Sequence, residues 1–196
     1  ALACGVDHMS AYSLIIEGNT AMARQLRRGE LEAPDPDDMA DKYELVDELA
    51  RADGLSWYEV SNWARTPAQR SRHNLAYWRG TDWWGIGPGA HRHRDGLRAW
   101  NVKHPSRYAR MLADGEMPVA DSEQVAAEDR LVERIMLELR IADGLAVEVI
   151  PAERRGMLAV HRERGHLDPA ALSQGRAVLT RSGRLLADAV IRDLVP

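Results

Sequence analysis

All six tryptophans of this chain, Trp57, Trp63, Trp78, Trp83, Trp84 and Trp100, fall between residues 57 and 100. Large flat side chains gathered in one stretch must either pack against each other or meet a ligand, so this segment dictates where the fold concentrates its aromatic surface. Inside it lie His73-Asn74-Leu75-Ala76-Tyr77-Trp78 and Trp83-Trp84-Gly85-Ile86-Gly87-Pro88-Gly89-Ala90-His91. An imidazole, an amide, a phenol, indoles and a glycine-rich turn thus share one short run. A core strand does not need that mixture, whereas a flat, partly polar ligand would use all of it.

The rest of the composition narrows the setting. At 196 residues, 45% hydrophobic and 29% charged, the chain suits one large domain or one and a half and can bury a core. No apolar run approaches the roughly 20 residues that span a bilayer, and no signal-peptide pattern opens the sequence. A single cysteine, Cys4, excludes an internal disulfide and points to the cytoplasm. A formal net charge of -4 argues against nucleic acid as the main partner. Lysine occurs only at 42 and 103 and phenylalanine is absent, a bias we assign to genome composition. The chain starts on a strand-like segment without methionine, as a piece of a longer protein would.

Residues 8–16 carry the β-branched and aromatic content of a buried strand, followed by a turn at 17–20 and a helix near 20–28 stopped by Gly29. Asp35 caps a second helix with Pro36 in its first turn, and Met39, Tyr43, Val46 and Ala50 share its inner face. Residues 55–60 read as a strand, so strand, helix, strand implies a βαβ unit and a parallel sheet. Residues 64–72 read as a polar loop. Pro105 opens a short helix ending at Gly115, and a polar stretch at 120–125 precedes the strongest helix, 126–143, with Leu131, Ile135, Met136 and Leu139 inward. The tail gives a helix near 151–164, a short strand at 177–179 and a closing helix at 183–195 with Leu186, Val190 and Leu194 inward. The expected fold is therefore α/β, with a mostly helical, winged-helix-like lobe after a boundary near 120.

Several side chains are candidates for chemistry. His73 is of the type that binds haem iron as a neutral base, Tyr77 and Trp78 offer stacking faces, and Asn74 can hydrogen-bond the ring or a carboxylate. Arg72, Arg79, Arg92, Arg94 and Arg98 surround the segment and pair well with carboxylates. A plain core role for the same residues is the alternative. The alternate glycines of 85–89 let a backbone or ligand approach closely, but Pro88 and the lack of a following helix exclude a dinucleotide fingerprint. His91 and His93 would share one strand face, a weak metal pair without a third ligand. His161 and His166 lie in a polar stretch and read as solvated. Glu17 and Glu59 follow the two first strands, where parallel sheets bind ligands. Cys4 alone cannot hold an iron–sulfur cluster. Residues 151–196 carry eight arginines against five acids, a balance that suits docking within the protein or a weak DNA contact.

With these residues assembled, the chain closely resembles the radical-SAM haem chaperone family (HemW), relatives of the oxygen-independent coproporphyrinogen III oxidases. The match runs through 8–14 with 17–20, through 57–64, through His73 to Trp78, through Gly85 to His91, and through 179–188 at the end. It covers essentially all 196 residues. The resemblance implies the last strands of a partial TIM-like radical-SAM barrel with the haem-motif region over 1–119, then a carboxy-terminal helical domain over 120–196. It implies haem bound through His73, Asn74, Tyr77 and Trp78, with His73 as the iron contact, and delivery of that haem to an acceptor haemoprotein in the cytoplasm. Ile15 and His91 would line an S-adenosylmethionine pocket at the barrel end.

The chain departs from the family pattern in two places. The Cys-x3-Cys-x2-Cys loop that holds the family's 4Fe–4S cluster is missing, so this chain should not perform radical chemistry alone. Ser71 stands two residues before the motif histidine, where relatives often have cysteine. The alternatives are part of an oxygen-independent coproporphyrinogen III oxidase, or a winged-helix module for DNA or protein docking.

Overall fold

The computed structural model describes residues 1–196, which form two compact units, Ala1–Ser71 and Arg72–Pro196. In the first, β1 (His8–Ser10) leads through an irregular segment to α1 (Ala21–Arg27), α2 (Pro36–Ala52), β2 (Ser56–Glu59) and β3 (Asn62–Ala64). Thr20 caps α1 by accepting from the Ala23 amide, and Asp35 caps α2 by accepting from the amides of Asp37 and Asp38. The caps satisfy amides that the first helical turn leaves without partners. The strand expected over 8–16 stops at Ser10.

The parallel sheet is corrected as well. Its strand order is β1-β3-β2, and both pairings are antiparallel. The chain reverses between Glu59 and Asn62, which lie opposite each other, so β3 returns and inserts between the two strands. β1 and β2 therefore run in the same direction, as a helical crossover requires, without touching. On one face Met9, Trp57 and Trp63 pack with Ala50, Leu55, Tyr43 and Val46. The Trp63 indole N–H donates to buried Asp47 at 2.8 Å, so the helix and the sheet share a polar pin within an apolar core.

The second unit opens with α3 (Arg72–Trp78). β4 (His91–Arg94) and β5 (Leu97–Asn101) form a hairpin whose loop residues Asp95 and Gly96 both have positive φ, 52° and 78°. That pair is the type I′ geometry that matches strand twist. After α4 (Pro105–Ala113), β6 (Val119–Gln124) pairs with β5, so most of the polar stretch at 120–125 is an edge strand. Residues 119 and 120 open that strand.

Then come α5 (Ala127–Glu138), β7 (Leu145–Ala146), α6 (Gly156–Glu163), α7 (Pro169–Ser173), β8 (Arg176–Ala177), α8 (Arg181–Leu185) and α9 (Ala187–Leu194). β7 and β8 pair antiparallel. The expected closing helix is broken at Leu186 (φ -110°, ψ 20°), which turns that side chain outward while Val190 and Leu194 stay buried. Ile135, Leu139, Leu145, Ile150, Leu167, Val190 and Leu194 form the centre of the core. No helix is long and apolar enough to cross a membrane.

His161 is not solvated, contrary to its polar neighbourhood in sequence: it is 1% exposed. Its Nδ1 lies 3.1 Å from Nδ1 of His166, and its Nε2 lies 3.2 Å from an Asp193 carboxylate oxygen. Burial pushes its pKa below the usual histidine value, Asp193 offsets part of this, and His166 and Arg164 add to it. In the unfolded chain the ring takes up a proton near pH 6.5, whereas the folded ring takes it up only at lower pH. The unfolded state then binds more protons, so stability falls as pH drops below about 6.5. Melting temperatures between pH 7.5 and 5 should fall more steeply for the parent than for His161→Leu. Parallel curves would contradict the assignment.

Candidate functional site

α3 presents the central motif. Seven residues hold one helical turn after another, and Gly80 (φ 62°) ends it with Gly80 N–H donating to Tyr77 O and Thr81 N–H to Ala76 O. Leu75 is the buried anchor. His73 and Tyr77 are four residues apart and therefore neighbours on one face. Their rings meet edge to face with centroids 4.8 Å apart. Tyr77 in turn meets Trp83 edge to face at 5.0 Å, and Trp83 lies 5.1 Å from His93. His93 Nδ1 is 3.4 Å from an Asp82 carboxylate oxygen. His73, Tyr77, Trp83, His93 and Asp82 thus form one continuous row.

The row depends on a pairing the sequence does not announce. Trp83 forms a β-bridge with His93, with backbone hydrogen bonds of 2.9 and 3.1 Å in the two directions. This adds a residue along the free edge of β4, opposite β5, and brings the indole against Tyr77. His73 is exposed and Tyr77 is 39% exposed, so the row opens to solvent at its α3 end. Asn74 and Trp78 sit on α3 as neighbours of this face, both half-buried.

The glycine-rich run closes the far side. Asn101 donates to the carbonyls of Gly85 (3.1 Å) and Gly87 (2.9 Å), and Tyr108 accepts from the Gly87 amide at 3.1 Å. Gly85 is squeezed against the His91 backbone, which is why the position carries no side chain. His91 stacks on Trp100 at 5.7 Å. His91 and His93 do share a strand, but no group of three or more histidine, cysteine or acidic side chains is placed to hold a metal ion.

The remaining candidates separate. Ile15 belongs to the first unit and is 77% exposed beyond the end of β1. Glu17 is exposed on the same loop, whereas Glu59 is buried and bonded to the Asn62 amide. Asn62 also bonds Ser10 and donates to Tyr12 at 3.2 Å. Beside them His8 Nε2 meets the Tyr58 hydroxyl at 2.7 Å, and burial raises the Tyr58 pKa. This polar sheet face escaped sequence reasoning, as did a cleft of about 340 Å³ lined by Tyr12, Leu14, Met39, Lys42, Tyr43 and Val46, among others. Two of the five candidate arginines are already committed. Arg79 pairs with Asp143 at 2.6 Å, and Arg98 with Glu123 and Glu133.

No family model matches the chain. Against individual proteins, however, it is 50% identical over its whole length to the haem chaperone HemW of Mycobacterium tuberculosis strain H37Rv, covering 49% of that protein. It is 32% identical to HemW of Bacillus subtilis over 97% of the chain and 51% of that protein. The chain belongs to the HemW family. It spans about half the length of these HemW relatives. A mitochondrial radical S-adenosyl methionine domain-containing protein 1 from mouse is 46% identical over 43% of the chain.

Among solved structures, the radical-SAM coproporphyrinogen III oxidase HemN of Escherichia coli matches 99% of the chain and 49% of its own length. The TM-score is 0.68 at 15% identity, a likeness of fold. The HemW-family chain is thus α/β, built of helices and small sheets, with a fold similar to that enzyme's.

Proposed function

We propose that this chain is the haem-holding part of a radical-SAM haem chaperone, binding haem at the α3 motif and passing it to an acceptor haemoprotein in the cytoplasm. The observation that carries the reading is the open end of the aromatic row. His73 offers an exposed imidazole that meets the Tyr77 ring in a T-shaped contact, and Tyr77 is itself braced by Trp83. These residues fit haem: an accessible imidazole nitrogen for iron, and flat apolar surface beside it. Bound haem would supply an iron that an imidazole can ligate. His73 would hold the iron, Tyr77 would orient the ring of His73, and Asn74 and Trp78 would flank it.

The half-length match to HemW supports the same reading. It favours neither the oxidase, which the chain resembles in fold at 15% identity, nor a DNA-binding module. In the full-length protein, residues 1–119 would close a partial TIM-like barrel and residues 120–196 would form a winged-helix-like domain. The same-direction strands β1 and β2 and the separate apolar core drawn from the tail are what support that division. A 4Fe–4S cluster does not fit the residues present, since Cys4 is the lone thiol.

Titrating hemin into the protein should move the Soret band to the position of imidazole-ligated iron, a signature that His73→Ala abolishes and that Tyr77→Ala weakens about tenfold, the loss of roughly one aromatic contact. If both variants respond as the parent does, α3 is not the haem site.

A further inference from the structure

We propose that Trp84, Arg92 and Arg94 form a second porphyrin contact on the same hairpin, one that reads the carboxylates and leaves the iron alone. The inference rests on the haem reading above and adds to it a surface that the His73 motif does not contain.

Register places the three side chains together. Successive strand residues point to opposite faces. Because Trp83 bridges His93, those two share the face of the Tyr77 row, and Trp84 falls on the other face with Arg92 and Arg94. The Arg92 guanidinium carbon lies 5.4 Å from the Trp84 ring centroid and that of Arg94 lies 5.9 Å from it. Trp84 is nevertheless 60% exposed. An indole left in water beneath two cations is a surface without its ligand, because stacking and desolvation would both gain from covering it.

Charge is segregated across the sheet in the same sense. The acids of β6 lie opposite Trp100 and Arg98: Asp121 faces the first and Glu123 the second. They belong to the face of His91 and His93. On the other face the strands contribute Arg92, Arg94, Leu97, Ala99, Ser122 and Gln124, two cations and no acid. Arg79 and Arg98 are neutralised by acids, whereas Arg92 meets the indole and Arg94 adds a loose, highly exposed pair with Asp95 at 3.4 Å. Such an exposed pair contributes little and gives way to a better partner. Two guanidinium forks beside an open aromatic face fit a flat apolar ring that carries carboxylates. A porphyrin with its propionates has that chemistry.

Metal-free protoporphyrin IX tests this directly, since it offers His73 no iron. Binding to the 196-residue protein is followed by tryptophan quenching, with the dimethyl ester as the ligand lacking charge. The parent should bind the free acid about tenfold or more tightly than the ester, the difference expected for losing charge-assisted hydrogen bonds. Arg92→Gln with Arg94→Gln should erase that difference by weakening only the acid, and Trp84→Leu should weaken both ligands. If His73→Ala leaves the hemin response unchanged while the parent still prefers the free acid to the ester, the α3 haem reading fails and this surface stands. Equal binding of acid and ester by the parent, or no binding of either, overturns the proposal. Undiminished acid binding by the double arginine variant also overturns it.

Discussion

Trp63→Ala is expected to cost about 4 kcal/mol, the range for emptying an aromatic site in a core. Few positions in the first unit are so exposed to a single change. Trp63 is fully buried, and the other buried members of its cluster are only Ala50 and Leu55. Tyr43 lies against it with centroids 5.7 Å apart, so the cavity would open onto α2 instead of being filled from within the sheet. The indole N–H also binds the buried Asp47 carboxylate. Trp63→Phe separates the two contributions. It keeps most of the ring but withdraws a donor from a buried carboxyl oxygen, which costs roughly 1–3 kcal/mol. Urea unfolding followed by far-UV circular dichroism should therefore rank the parent above Trp63→Phe and Trp63→Ala last. An alanine variant within about 1 kcal/mol of the parent would show that this ring does not hold the helix on the sheet.

What could be read from the chain follows from how local each feature is. The α2 helix was legible because its cap, its Pro36 and its Met39–Tyr43–Val46–Ala50 face all lie within the element. β3 was not, since Asn62–Ala64 is three residues long and buried throughout, leaving no alternation to detect. Missing it is what made β1 and β2 look like neighbours in a parallel sheet. β6 shows in the sequence only as a polar stretch because five of its six residues face solvent, as an edge strand allows. His161 looked solvated among Arg162, Glu163 and Arg164, but α9 covers it, and that packing has no signature in the local sequence.

The site divides the same way. The i, i+4 contact of His73 with Tyr77 could be anticipated from spacing alone. The rest of the row could not, because Trp83 reaches Tyr77 only through its pairing with His93, ten residues further on. The Trp84 face has the same origin: two adjacent indoles are sent to opposite sides by one β-bridge. Sequence marked the aromatic segment as unusual, while the strand register decides which ring serves which surface.

Gly85→Ala is expected to break this arrangement at its hinge. A Cβ built at Gly85 would sit on the carbonyl oxygen of His91, 2.5 Å from its carbonyl carbon and 2.9 Å from that of Ala90. All three are backbone atoms, so no rotamer relieves the clash, and the strand must move. That movement pulls on the Asn101 amide, which holds the Gly85 and Gly87 carbonyls together. Overpacking of this kind costs roughly 3 kcal/mol, at the upper end of its usual range. For a chain of this size it lowers the melting temperature by about 10 °C. Gly85 does not have a positive φ, so the penalty is steric and not conformational. Gly156→Ala is the matched control: its Cβ meets nothing within 4 Å and it opens α6, where alanine is neutral or stabilising by up to about 1 kcal/mol. Equal melting temperatures for the two variants would mean that the run relaxes freely around a side chain. If Gly85→Ala is destabilised as expected, the displacement of His91 and Trp84 should weaken porphyrin binding in the fraction that remains folded. The glycine then acts by keeping two strands close enough to present their aromatic rings on opposite faces.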